Sequence, residues 1–217
     1  LLRADYRNQK GVRGLRFLQR LTAMVAEDRD ALIVDADTWE TWNVASFKER
    51  ALQRNLHNVG EQIAVVPFPE YDGIRLTTRG MRRFGSVDLE LTGLPLDPDT
   101  LQRGTDLLLA LARVMVREGE VDSTGFAVEA DEIIEVSWSG VAVAYEARGA
   151  TFEKCEDCPG EVFVHLVRRE PKETDAANHV VAQVVAPRER SDASEYDQSA
   201  WVMEALADVF GPARATQ

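Results

Sequence analysis

The sequence predicts an α+β fold: a largely antiparallel or mixed β-sheet with three to four packed helices. Three observations carry this. Helix-period apolar stripes fall at Gly11–Glu27, at Asp99–Glu118 and again near the C-terminus, whereas strand-like runs cluster in the second half. The order lacks the regular strand–helix alternation of a parallel-sheet enzyme. No repeat at a fixed period and no low-complexity tract interrupts it, so 217 residues read as one domain, with a weak subdivision near 119–125.

Leu1–Tyr6 reads as a strand. In the first helix Leu15, Leu18, Leu21 (or Thr22) and Val25 recur at helical spacing, and Arg13, Arg16 and Arg20 mark a basic face. Ala31–Val34 is a short apolar strand, Asp35-Ala-Asp-Thr a turn, and Trp39–Trp42 a returning strand. Ser46-Phe-Lys-Glu49 matches a capping box, in which Ser and Glu side chains satisfy free backbone donors, and so opens a second helix lined by Leu52 and Leu56. Glu61–Pro69 and Ile74–Thr78 form a hairpin about Tyr71-Asp-Gly73. A glycine-punctuated link, Thr78–Gly85, leads to a strand at Val87–Leu91.

Asp97 or Asp99 caps the longest helix, with Pro98 in its first turn. Leu101, Leu108, Leu111 and Met115 form its stripe, widened by Leu107 and Val114, while Asp106, Arg113 and Arg117 fall away from it. The remainder reads as strands at Phe126–Val128, Ile133–Trp138, Val141–Glu146, Glu161–Arg169 and His179–Ala186. A last helix follows, capped by Asp192 or Ser194, in which Trp201, Ala205 and Val209 share a face with Val202 and Leu206.

Charge narrows the function classes. The net charge is −12: residues 1–110 carry 15 Lys/Arg and 16 Asp/Glu, and residues 111–217 carry 10 and 21. From Glu118 to Ala147 there are eight acids and no base. Nucleic-acid binding works through cations that displace counterions, so no nucleic-acid partner is expected. The longest apolar run, Leu107–Ala112, is too short to span a bilayer, so no membrane insertion is expected and the chain reads as soluble. The compartment and the oligomeric state stay open.

Four groups of residues invite a chemical reading. Leu32-Ile-Val-Asp35-Ala-Asp37-Thr38, an apolar strand running into Asp-x-Asp, resembles the nucleophile loop of haloacid-dehalogenase-type phosphatases, where one carboxylate attacks phosphorus and magnesium screens the charge. That family places Thr or Val where this chain has Trp39, and the alternative is a turn in which Asp35 and Asp37 bond nearby N–H groups. Cys155-Glu-Asp-Cys158 is half of a zinc knuckle, but no second pair exists and His57, His165 and His179 stand apart. A hairpin turn with two free thiols or a local disulfide is the plainer account. Arg79, Arg82 and Arg83, with Arg75, surround Gly80 and Gly85, where guanidinium forks beside close backbone suit a phosphate or carboxylate; an intramolecularly paired or solvated cluster is the plainer account. Trp39 and Trp42 line a groove or pack a core edge. There is no Gly-x-Ser-x-Gly elbow, no P-loop and no motif that calls for a cofactor.

Two segments, Leu32-Ile-Val-Asp-Ala-Asp-Thr and Gly73-Ile-Arg-Leu-Thr-Thr-Arg-Gly-Met-Arg-Arg-Phe-Gly-Ser-Val-Asp-Leu-Glu-Leu, give the chain a layout that resembles uncharacterised bacterial proteins of unknown function. The resemblance implies no activity and carries over no site residue. The expectation that follows is a non-enzymatic bacterial protein that binds a protein partner, in cytoplasm or envelope. The alternatives are a metal-dependent phosphatase or other hydrolase using Asp35 and Asp37, and a zinc-stapled domain.

Overall fold

A computed structural model describes residues 2, 13–27, 29, 31–52, 59–118, 133–146, 151, 154–175 and 180–212. In chain order these form α1 (Arg13–Glu27), β1 (Leu32–Val34), β2 (Thr41–Asn43), α2 (Val44–Phe47), β3 (Ala64–Glu70), β4 (Gly73–Arg79), β5 (Asp88–Leu94), α3 (Pro98–Glu118), β6 (Ile133–Ser137), α4 (Trp138–Glu146), β7 (Glu161–Arg168), β8 (Val181–Val185), α5 (Arg188–Ser191) and α6 (Gln198–Phe210). The expected strands at Leu1–Tyr6 (apart from Leu2) and Phe126–Val128, the 119–125 subdivision, Leu56, His57 and His179 lie outside the described residues.

The fold is α+β, as the patterning predicts. The main sheet has six strands in the order β3-β4-β5-β8-β7-β6, and β1 pairs with β2 in a separate two-stranded sheet. Within the main sheet every pairing is antiparallel except that of β5 with β8, which makes it mixed. Pro67 and Pro69 sit in edge strand β3, where a missing N–H costs no ladder bond on the open side.

Because side chains alternate across a strand, the sheet has two different faces. One carries Leu76, Leu89, Leu91, Val164, Leu166 and Val184, all buried against α3 and α6. Helix α3 lies closest: a side chain at Gly104 would meet the methyls of Leu76 and Leu94 at 3.1 Å. Leu107, Leu108, Leu111 and Met115 of its stripe are buried as expected. Asp97 caps α3, its Oδ1 accepting from the N–H groups of Asp99 and Thr100, both at 3.1 Å.

Five sequence expectations are corrected. Asp106 does not fall away from the stripe: it is fully buried and accepts from Tyr145 Oη at 2.6 Å and Gln102 Nε2 at 3.0 Å. Residues 141–146 belong to helix α4 and form no strand. The alternating Val-Ala-Val-Ala-Tyr run mimics period two, but Val141 and Tyr145 are four apart, which brings both onto α3 in a helix. The second helix is capped by Asn43, whose Oδ1 accepts from Ser46 N at 2.8 Å, so it starts earlier than a Ser46 cap would allow. The cap of α6 is Asp197, bonded to Ser199 N and Ala200 N, because Arg188–Ser191 make a separate short turn of helix upstream. In α1 the buried line is Leu15, Gln19, Ala23 and Ala26, and Val25 is exposed. The small Ala23 and Ala26 let Trp42 of β2 and Phe47 of α2 approach and build a second, smaller core with Ile33 and Ala51.

Candidate functional site

The second face of the main sheet is ionic. Thr77 pairs in register with Glu90, so Arg75, Thr77, Arg79 and Glu90 all project to that side, away from α3. The segment following β7, Arg169–Asp175, lies across them. Glu90, 1% exposed, accepts from Arg75 Nη1 at 2.9 Å, from Arg169 Nε and Nη2 at 2.9 and 2.6 Å, and from Lys172 Nζ at 3.2 Å. Arg169 also forks onto both oxygens of Asp175 at 2.8 Å. Arg75 reaches Glu70 at 2.9 Å and stacks on Phe68, 4.5 Å from the ring centroid.

Burial alone would raise the Glu90 carboxyl, but the hydrogen bonds and charge of Arg169, then Lys172 and Arg75, outweigh it and hold the group below the ordinary carboxylate value. Asp175 is held low in the same way, burial being overcome by Arg169 and by the Lys172 N–H. Arg169 is pushed up, first by its hydrogen bonds to Asp175 and, against desolvation, by those to Glu90.

Arg79 differs from its neighbours. It is 3% exposed, and its Nη2 donates to the Thr174 carbonyl. Its Nε and Nη1 are buried with no hydrogen-bond partner. The Trp39 ring caps the guanidinium, 3.1 Å from ring centroid to Cζ. Burial lowers the Arg79 pKa, and Asp88 and Asp175 only partly restore it.

Asp35 and Asp37 sit in the β1–β2 turn beside this face. Asp35 Oδ1 accepts from Asp37 N at 3.0 Å and Thr38 N at 3.3 Å, the side-chain-to-backbone pattern that closes an Asx turn. Arg83 ties both acids: Nη2 bonds Asp35, and Nε lies 3.3 Å from Asp37 Oδ2. Arg83 is itself buried, and although desolvation opposes it, Asp35 and then Asp37 raise its pKa. Arg83 also donates to Gln62 O at 2.9 Å. Of the arginines read from sequence, Arg75, Arg79 and Arg83 are thus buried, and Arg82 is exposed. Trp42 packs the small core, whereas Trp39 is 53% exposed with φ +64°, the left-handed region that bulky residues rarely enter.

The link between β4 and β5 forms as a glycine turn, a short helical turn over Met81–Phe84 and a second glycine turn, with Gly80 at φ +106° and Gly85 at φ +72°. His165 is buried in β7, its Nε2 3.4 Å from Arg188 Nε. Cys155 and Cys158 are joined in a disulfide, which leaves neither sulfur as a thiolate ligand. The bridge packs on the end of α6, where a side chain at Gly211 would meet Cys155 Sγ at 3.2 Å. Elemental analysis of the oxidised protein after mild chelation should therefore find less than stoichiometric zinc, and one zinc per chain would refute the disulfide assignment. Among the described residues there is no group of three or more His, Cys, Asp or Glu placed to hold a metal, and no helix is long and apolar enough to cross a membrane.

Glu90, Arg169, Lys172 and Asp175 are not singled out by motif. For Glu90 the signal is period two, since Arg75-x-Thr77-x-Arg79 and Asp88-x-Glu90 place opposite charges on one face of adjacent strands; Arg169, Lys172 and Asp175, which follow β7, carry no such signal. No family model matches the chain, nor does any curated protein or solved structure.

Proposed function

We propose that this chain is a non-enzymatic binding protein whose partner is a basic protein. The placement of charge carries the reading. Among the described residues the buried arginines, Arg75, Arg79 and Arg83, are matched in number by the buried acids Asp88, Glu90 and Asp106. The net charge of −12 therefore falls on the other residues, where it can steer a cationic partner. The carboxylates with the most enzyme-like spacing, Asp35 and Asp37, are both bonded to Arg83, and Asp35 also accepts from two N–H groups of its own turn, which is support for a scaffold role.

Calorimetry with magnesium or manganese, on the wild type and on Asp35→Asn, tests the reading against its enzymatic rival. The expected outcome is no saturable metal binding and no phosphate-ester hydrolysis. Tight binding with turnover, both lost in Asp35→Asn, would replace it with a hydrolase. Affinity capture on the intact chain should yield a basic partner. Once purified, that partner should bind with an affinity that falls steeply as salt is raised past the screening length of about 10 Å at 0.1 M.

A further inference from the structure

We propose that Arg79 is the anchoring residue of a small-oxyanion site closed by Trp39. The proposal stands independently of the partner reading above.

The argument begins with a mismatch in donors. A guanidinium has five N–H bonds and no way to neutralise itself at ordinary pH. In Arg79 only Nη2 is engaged, with the Thr174 carbonyl. The one N–H of Nε and the two of Nη1 are buried and meet no acceptor. Its neighbours are treated differently. Arg75 bonds Glu70, Glu90, Thr77 and Thr174. Arg169 bonds Glu90 and Asp175 in parallel forks. Glu70, Glu90 and Asp175 are thus committed to Arg75, Arg169 and Lys172, and Asp88 accepts from Thr78 Oγ1 and Met81 N.

A buried cation with idle donors is costly unless something completes it. The chain has placed a removable cover at that point. Trp39 stacks on the guanidinium, yet half of its surface faces solvent. The residue stands in the β1–β2 turn with a left-handed backbone, held by its N–H to Asp35 O at 2.8 Å. The ring can therefore swing outward without disturbing either core, since neither includes it. With the ring displaced, one face of the Arg79 guanidinium is uncovered, and an oxyanion entering on that side comes within reach of the idle Nε and Nη1 donors at its edge. The Arg75 and Thr174 side chains lie at its edge.

What suits such a site is a compact oxyanion. A carboxylate or phosphate oxygen accepts from guanidinium N–H groups in the plane, and the negative charge offsets the under-compensated cation. A neutral hydroxyl would accept a hydrogen bond but leave the charge uncompensated, and an ammonium would do neither. The net charge of −12 disfavours a polyanion more strongly than a small anion.

The test uses the full chain, titrated with inorganic phosphate or with acetate at constant ionic strength, chloride being the control. Tryptophan emission and melting temperature are both read. At least one of the two anions should give a saturable rise in melting temperature and a parallel emission change. A response to phosphate assigns the phosphate class, and a response to acetate alone assigns the carboxylate class. Trp39→Ala should keep the thermal response and lose most of the emission change. Arg79→Lys, which retains charge but not the planar fork, should weaken binding about tenfold or more, and Arg79→Gln should abolish it. Should Arg79→Gln fail to fold, the lysine variant decides. If neither anion differs from chloride, in the wild type and in Trp39→Ala alike, the site does not exist. Unchanged affinity in Arg79→Lys would equally overturn it.

Discussion

Replacing Glu90 with alanine should cost about 3–5 kcal/mol, the loss typical when one partner of a buried ionic cluster is removed and the others keep their charge. Glu90 accepts from Arg75, Arg169 and Lys172 at once, and its side chain is almost fully enclosed. Without it, Arg75 and Arg169 lose their shared counter-charge inside the protein. A domain of this kind has only about 5–15 kcal/mol of stability in total, so the variant should unfold at a much lower urea concentration. Glu204 supplies the contrast. Its pair with Arg190 is about half exposed on both sides, and Glu204→Ala should cost no more than about 1 kcal/mol. Equal urea midpoints for Glu90→Ala and Glu204→Ala would show that water reaches the network.

The same network sets an acid limit. The folded carboxyl of Glu90 is held below its ordinary value of 4.5, so its stabilising contribution is complete above that value. The contribution is lost as pH falls through the lower folded value. Asp175, also depressed, acts in the same direction. The wild type should therefore melt at a nearly constant temperature from neutral pH down to the ordinary carboxylate range and then lose stability steeply. In a Glu90→Gln variant that acid slope should flatten, because the titrating group is gone.

Cutting Leu111 to alanine should lower stability by about 2–5 kcal/mol, since the side chain is fully buried on α3 against the sheet and a cavity would remain. In a chain of this length each kcal/mol corresponds to about 2–4 °C in melting temperature, so the shift is readily measured. Arg113, partly exposed on the same helix, should tolerate alanine with little change. Matching melting curves for Leu111→Ala and wild type would mean that α3 does not hold the core.

Much of the architecture was legible in local pattern. The apolar stripe of α3, the Tyr71-Asp-Gly73 hairpin, the glycine-flanked turn between β4 and β5 and the buried face of α6 each express a period or a turn chemistry confined to a few neighbouring residues. Where two periods fit equally well, the local pattern misled. Val141–Tyr145 alternates like a strand, and only the proximity of α3, which Val141 and Tyr145 meet together, settles it as a helix.

The ionic face was decided by tertiary structure. Arg75 and Glu90 are fifteen residues apart, and Glu90 and Arg169 seventy-nine, so nothing local joins them. Strand pairing sets which charges meet, and burial in a low-dielectric interior turns those meetings into strong, specific contacts. Asp35 and Asp37 show the same division. Their turn is written in the Asp-x-Asp spacing, but Arg83, nearly fifty residues away, is what occupies them. By itself the sequence determined the α+β class, the main helices and the acidic net charge, because each depends on residue type and spacing alone. Which charges are satisfied, and which guanidinium is left with idle donors under Trp39, depends on distances that exist only once the chain has folded.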